Sequence, residues 1–469
     1  MTDLKLAPLL RDTKWADGLR GMAAFFVVTS HLTLGYASWL DHPTRTKDTR
    51  PAFYNLPFIR IFAQGSPWVV TFLVLTGFVN ALKPIKQGRA GRVDAALSSL
   101  ASSCFRRSAR LVLPCTVATF FSWIICEAGG YKIGGMVESA WMVDTSPLPS
   151  TSIHGAICRL FSSIYTTWAT GRNVLDKNQW AMTFFLKGSL ALYVLLLATV
   201  RATPRYRMLI FSAMILFSWS KKDTHMGLPV YSGALLTELS MIPGIINFSV
   251  NRRLVYRLLP FFGVLLAWYL MSYPVNKPSW QPWSNALWTL GKLIFPKGAE
   301  YESFFYTIAI VLLVLSIILS AKLQQIFSHP VLLWLGAHSF PIYLIHGPLL
   351  RSFLNWILYA FVAPTLYQEK DENGKVVREF ERFPIPSAPK FFLLLPVFLA
   401  VLFALAHLWQ QKIEPRCGSA TKWLEETICG VKDEPVAVSP KRDDDEKDEE
   451  SNAAAVAGQS VEMESLLPR

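Results

Sequence analysis

Residues 17–32 read Asp-Gly-Leu-Arg-Gly-Met-Ala-Ala-Phe-Phe-Val-Val-Thr-Ser-His-Leu, an apolar run that opens on Arg20 and holds His31 well inside it. A run of this kind is long enough to enter a bilayer core about 30 Å thick. Imidazole in hydrocarbon is costly unless it meets a partner or faces a cavity, so an intramembrane histidine is a functional candidate. Eleven residues at 3.6 per turn return His31 to within roughly 20° of Arg20 on one helix face, ~16 Å deeper.

Similar runs recur outward from this one, near 20–40, 66–83, 110–128, 181–200, 206–219, 228–248, 256–273, 303–321, 331–362 and 390–410. The composition agrees: of 469 residues 52% are hydrophobic and only 17% charged, with a mean hydropathy of +0.31. The expected fold is an all-α, polytopic membrane bundle of about ten helices. The stretch 331–362 is too long for one crossing and predicts a helix plus a re-entrant or interfacial piece around Gly347-Pro348. The start, Met1–Arg11, is polar and predicts no cleavable signal peptide.

Lysine and arginine explain the net charge of +13 without nucleic acid, because they sit at helix ends. Lys83, Lys86, Arg89, Arg92, Arg106, Arg107 and Arg110 follow the second run, and Arg201, Arg205, Arg252 and Arg253 fall in alternate later loops. That alternation predicts a multi-pass protein with both termini cytosolic. The expected organisation is a cytosolic segment 1–18, a membrane domain 19–411 and a cytosolic, mostly disordered acidic tail 412–469. The six cysteines form no CxxC pair and show no metal-ligand spacing, so no metal site is expected.

The chemistry suggested by these residues is acyl transfer. A neutral imidazole suits removal of a hydroxyl proton, and Arg20 suits a developing oxyanion. An anion held at the mouth could reach a centre beside His31 only through a long, thin arm, which is the shape of coenzyme A. The alternative is that His31 bonds across helices while Arg20 snorkels to the interface. Arg106, Arg107 and Arg110 lie at i, i+1 and i+4 on the third run, so that Arg106 and Arg110 share a face and all can converge on one anion; positive-inside anchoring is the competing reading. Glu238 sits within an apolar run, where a carboxylate is usually paired or functional, with His31 or an arginine as partner. His154 and His225 fall in loops and are expected to be solvated. Trp280, Trp283 and Trp288 read as an interfacial aromatic belt.

Five segments, in order, resemble the membrane acyltransferase-3 family. They are Asp17–Leu32, Phe72–Phe78, Arg106–Pro114, Trp180–Ser189 and Leu335–Pro348. The resemblance implies an acyl-CoA donor, often acetyl-CoA, used as co-substrate with no permanently bound cofactor, and O-acylation of a hydroxyl. It implies that His31 is the base and that Arg20, Arg107 and Arg110 bind or orient the donor, with Arg106 beside them. Tyr343 and His346 then lie near the site, and Asp17 opens the signature. Many relatives place Glu five residues after the central tryptophan, where this chain has Phe185. That departure implies either a different acceptor or lost activity. The loops and tail resemble the fungal branch, whose acceptors include small lipophilic secondary metabolites; a cell-surface carbohydrate or glycolipid is the alternative acceptor. Membrane lipids are the remaining expected partners. The competing class is a polytopic transporter, against which stands the absence of an internal repeat.

Overall fold

The computed structural model describes residues 13–251, 253–370 and 376–429. The helices are α1 Lys14–Tyr36, α2 Ser66–Arg89, α3 Val93–Glu127, α4 Ala140–Thr145, α5 Ile153–Thr170, α6 Trp180–Thr199, α7 Pro204–Ser220, α8 Gly227–Ser240 and α9 Pro243–Val250. They continue as α10 Leu254–Met271, α11 Pro282–Ile294, α12 Tyr301–Ile318, α13 Ala321–Phe327, α14 Pro330–Ala337, α15 Ser339–Leu349, α16 Asn355–Tyr359 and α17 Ala388–Cys429. The chain up to Thr421 forms one compact unit, and the last described turns of α17, from Lys422, belong to a second. The segment 430–469, where an acidic tail is expected, lies outside the described residues, as do residues 1–12.

Among the described residues six helices are long and apolar enough to cross a membrane: α2, α3, α6 (with the turn before it), α10, α12 and α17. The pair α8 and α9, bent by 83°, makes a seventh if it is one broken span. The chain is therefore a multi-pass, helical membrane protein. Three further expected spans are built differently. Helix α1 carries Lys14, Asp17 and Arg20, and α7 has 17 residues. The long stretch 331–362 is divided into α14, α15, a π turn Leu350–Leu354 and α16.

Its break also falls elsewhere than expected, at His338 rather than at Gly347-Pro348. Helix α15 runs through Pro348, and the turn after it widens to the π form.

The long loops contain more structure than their polarity suggests. Residues 129–179 hold α4 and α5, so His154 lies on a helix, where it is exposed. His225 stays in a loop, partly exposed, with Nε2 3.6 Å from Glu300. Residues 274–301 hold α11. The charged segment 365–388 contains an antiparallel hairpin of β1 Thr365–Lys370 and β2 Val376–Arg382. Its register sets Thr365 opposite Arg382 and Glu369 opposite Arg378.

Helix α2 is the hub, packed against α1, α6, α8 and α12. Trp68, Val74 and Ala81 along it are fully buried. Helix α1 lies against α14 and α15. The α1–α14 crossing needs glycine on both sides: a Cβ on Gly21 would strike the backbone of Leu332, Leu335 and Gly336, and one on Gly336 would strike the Asp17 carbonyl. Small residues of this kind let helix backbones meet in a membrane. The contact holds the opening turns of α1 in place, with Leu19 buried and Arg20 left to face a cavity.

Glu238 on α8 is fully buried and pairs with two arginines, not with His31. Arg89 donates from Nε to Glu238 Oε2 at 3.0 Å, and Arg207 donates from Nε to Oε1. One carboxylate thus ties the end of α2 to α7 and α8.

Candidate active site

A cavity of about 500 Å³ opens among α1, α2, α3, α6, α15 and α17. Its charged part is lined by Arg20, Arg106, Arg107, Arg110 and Glu414. The four arginines come from two helices, and Arg107 lies within electrostatic reach of both Arg20 and Arg110. Arg106 and Arg110 are exposed while Arg107 is half-buried. The Nε atoms of Arg20 and Arg107 are buried without a protein hydrogen bond. Buried donors of this kind need an acceptor, and a cluster of cations with one carboxylate favours an anion. Asp17 is exposed and holds Arg20 Nη2 at 2.9 Å.

The other part of the cavity is largely apolar, lined by Phe72, Met182, Phe185 and Tyr343 among others. Phe72 packs edge-on to both Phe185 and Tyr343, with ring centroids 6.2 Å apart in each case. Phe185 therefore fills the wall at the position where relatives are expected to carry a carboxylate. Tyr343 touches both regions: it lines the cavity, and its ring centroid lies 5.8 Å from that of His346.

Beyond Tyr343 two histidines meet. His31 Nδ1 lies 2.7 Å from His346 Nε2, across 315 residues of sequence. The protons follow from the partners. His346 Nδ1 is 3.0 Å from the Ile342 carbonyl, which can only accept, so Nδ1 carries the proton. The neutral His346 ring then has a lone pair on Nε2 and accepts from His31 Nδ1–H. His31 is left with a lone pair on Nε2, the atom a proton would reach. The His31 ring lies nearly parallel to that of His346, which it meets through this hydrogen bond, and the Trp141 ring of α4 packs against it with centroids 5.1 Å apart. His346 is wholly buried and His31 half-buried.

A second pair supplies the comparison within the same chain. His338 Nδ1 donates to the Trp334 carbonyl at 2.7 Å, and its Nε2 accepts from His407 Nδ1 at 3.1 Å. Here the outer nitrogen is taken, because Gln411 Nε2 donates to His407 Nε2 at 2.8 Å. The two pairs share a tautomer pattern and differ in the free lone pair. A capped histidine pair joins helices; an uncapped one can accept a proton.

A family model for an acyltransferase domain matches residues 13–413, which include the four arginines, Tyr343 and both histidine pairs. The chain belongs to the acyltransferase-3 family. It is similar to O-acetyltransferase PaAT-1 of Phomopsis amygdali, with 29% identity over 381 residues covering 76% of each chain. It is also similar to acyltransferase R4 of a Phoma species (22% identity; 73% of this chain, 83% of the relative). Acyltransferase clz18 of Cochliobolus lunatus is 23% identical over the same shares. No solved structure matches. The protein is thus a membrane acyltransferase of a family present in these fungi, and membership implies a donor of the acyl-CoA type.

For an acyltransferase-3 chain, the expected site residues fall into two groups. Arg20, Arg106, Arg107 and Arg110 meet at the cavity; His31, His346 and Tyr343 meet beyond it. Glu238 belongs to neither. The structure adds residues that the motifs do not single out. Arg351 and Asp176 form a buried ion pair at 3.1 Å, each 1% exposed by side chain. Arg351 also donates to the Gly347 carbonyl at 3.1 Å and to the Thr145 carbonyl, and lies 4.6 Å above the Tyr131 ring. Such a pair is well satisfied, which is the condition for burying it. Its effect is local: it anchors the turn 176–179, where Asn178 accepts from the Tyr343 hydroxyl through its carbonyl at 2.6 Å. Gly347 permits this, since a Cβ there would strike the Asn178 side chain. An arginine inside an apolar run is the available sequence signal for Arg351.

Proposed function

We propose that this protein transfers an acetyl or other short acyl group from coenzyme A to a hydroxyl on a small lipophilic metabolite. The uncapped Nε2 of His31 is the observation that carries the reading. In this scheme Arg20, Arg107 and Arg110, with Arg106 at the rim, hold the donor's phosphates, and the thioester points toward Tyr343. His31 Nε2 takes the proton of the acceptor hydroxyl as that oxygen attacks the thioester carbonyl. The carbon–sulfur bond then breaks, and the leaving thiolate takes the proton back from His31. His346 accepts throughout from His31 Nδ1–H, holding the ring in one tautomer and stabilising the imidazolium that forms; it is a positioning residue.

The acetyl preference draws on the aromatic end of the cavity and on the O-acetyltransferase name of the Phomopsis amygdali relative. Phe185 then sets acyl length rather than abolishing activity. Phe185→Ala vacates a phenyl-sized space beside Phe72 and Met182. Steady-state rates with acetyl-, butyryl- and hexanoyl-CoA should show preference moving toward the longer chains by about tenfold, since each methylene in such a pocket is worth about 1 kcal/mol or more. An unchanged ranking would remove Phe185 from donor selection.

About ten crossings with both termini cytosolic would put the arginine cluster on the side where acyl-CoA is made. Support comes from the alternation of basic loops. Labelling of introduced thiols by an impermeant reagent on sealed vesicles tests the orientation. The activity itself is tested with the purified chain in vesicles, [14C]acetyl-CoA and host extracts fractionated into small metabolites and glycans. Label appearing in glycolipid would replace the acceptor, and label in neither fraction would remove the reading.

A further inference from the structure

A second cavity, of about 460 Å³, lies where the end of α2, the start of α3, the end of α6 and the start of α7 meet. It shares no lining residue with the donor cavity. Its cationic wall is Arg89, Arg201 and Arg207, and Thr203 and Pro204 bring the N-terminus of α7 to it.

The charges do not balance within the protein. Arg89 has every nitrogen engaged: Nε and Nη2 reach Glu238, and Nη1 donates to the Met241 carbonyl at 3.1 Å. Arg207 directs Nε to Glu238 and Nη1 to the carbonyls of Thr199 and Ala202, at 3.3 and 3.1 Å. Its Nη2 has no partner among the described residues, although the residue is 1% exposed. A buried guanidinium donor left unmatched is rare and costly. Two arginines against the single carboxylate of Glu238 leave one positive charge, and exposed Arg201 brings a second. The start of α7, where Pro204 has no N–H to give, brings the positive end of its helix dipole to the cavity.

We propose that this cavity binds a phosphate-bearing anion, with Arg207 Nη2 and Arg201 as its donors and the positive end of the α7 dipole beside them. A phosphate matches the surplus charge and accepts several hydrogen bonds at once. Bound there, it completes the Arg89–Glu238–Arg207 network and so clamps α2, α7 and α8 together. The source of the phosphate is a membrane phospholipid headgroup or a soluble phosphate, which share this chemistry.

The test is equilibrium binding to the purified full chain in phosphatidylcholine nanodiscs, with dioctanoyl phosphatidic acid and inorganic phosphate as separate probes. An Arg107→Gln, Arg110→Gln background weakens competing anion capture at the donor cavity. Binding should persist in that background and weaken by about tenfold or more in Arg201→Glu, since a charge-assisted hydrogen bond is lost and a like charge added. Arg201 is exposed, so its reversal should leave the fold intact, as monitored by size-exclusion profile. Capture of phosphatidic acid alone assigns the site to lipid, and capture of both probes with the same Arg201 dependence assigns it to the phosphate itself. Binding of neither probe, or affinity unchanged by Arg201→Glu, overturns the proposal.

Discussion

His31→Ala should lower the rate of acyl transfer by about 10³–10⁴-fold while donor binding stays within about twofold. Loss of a general base typically costs ~10²–10⁴, and the upper part of that range applies because the lone pair freed on His346 Nε2 belongs to a wholly buried ring, lies 3.5 Å from Asn178 Nδ2, and replaces the lost base poorly. The measurement is single-turnover transfer from labelled acetyl-CoA, with donor affinity determined separately. His346→Leu tests the other half of the pair. It removes the acceptor of His31 Nδ1–H and frees the ring to adopt either tautomer, so kcat should fall about 10–100-fold with little change in KM. His346→Gln, whose amide oxygen can accept, should recover part of the loss. Wild-type turnover in folded His31→Ala protein would refute the mechanism, and equal losses in Leu and Gln variants would make His346 a packing residue.

The second large effect should be in binding. Replacing Arg107 and Arg110 together with Gln should weaken coenzyme A by about 10²-fold or more, because a hydrogen bond to a charged group contributes ~1.5–3 kcal/mol and two are removed. Both residues line the cavity rather than the packed core, so expression and helix content should hold. Titration of the purified protein with coenzyme A, with vesicle topology checked in parallel, separates donor recognition from membrane anchoring. Anchoring alone predicts altered insertion and unchanged affinity.

Legibility in the sequence depends on whether a relation is local. The Arg106–Arg110 spacing and the Arg20–His31 pair are helical periodicities; the arginines line one cavity, whereas His31 does not line it and connects to its wall through His346 and Tyr343. The partner of His31 is not available in that way. His346 lies 315 residues along the chain, and only the folding of α15 against α1 brings the two rings together. The apolar run around Glu238 implies a partner, but choosing between His31 and an arginine needs the α7–α8 contact. Asp176 sits in a polar segment without periodicity, and its ion pair with Arg351 again crosses the fold. The hairpin at 365–382 is hidden because its strands are charged on both faces and show no apolar alternation to mark them.

The glycine contact between α1 and α14 bears on how loss-of-function genetics would read this gene product. Gly21 and Gly336 carry no side-chain base or donor, yet a methyl group at either collides with backbone across the crossing, and one at Gly18 strikes the Phe327 carbonyl of α13. Separating those helices would displace Arg20 and tilt the helix that carries His31. Saturation mutagenesis scored by product formation should therefore recover these glycines as often as the histidine itself. Tolerance maps alone would assign them to the chemistry; only protein abundance measured alongside activity would sort scaffold from catalyst.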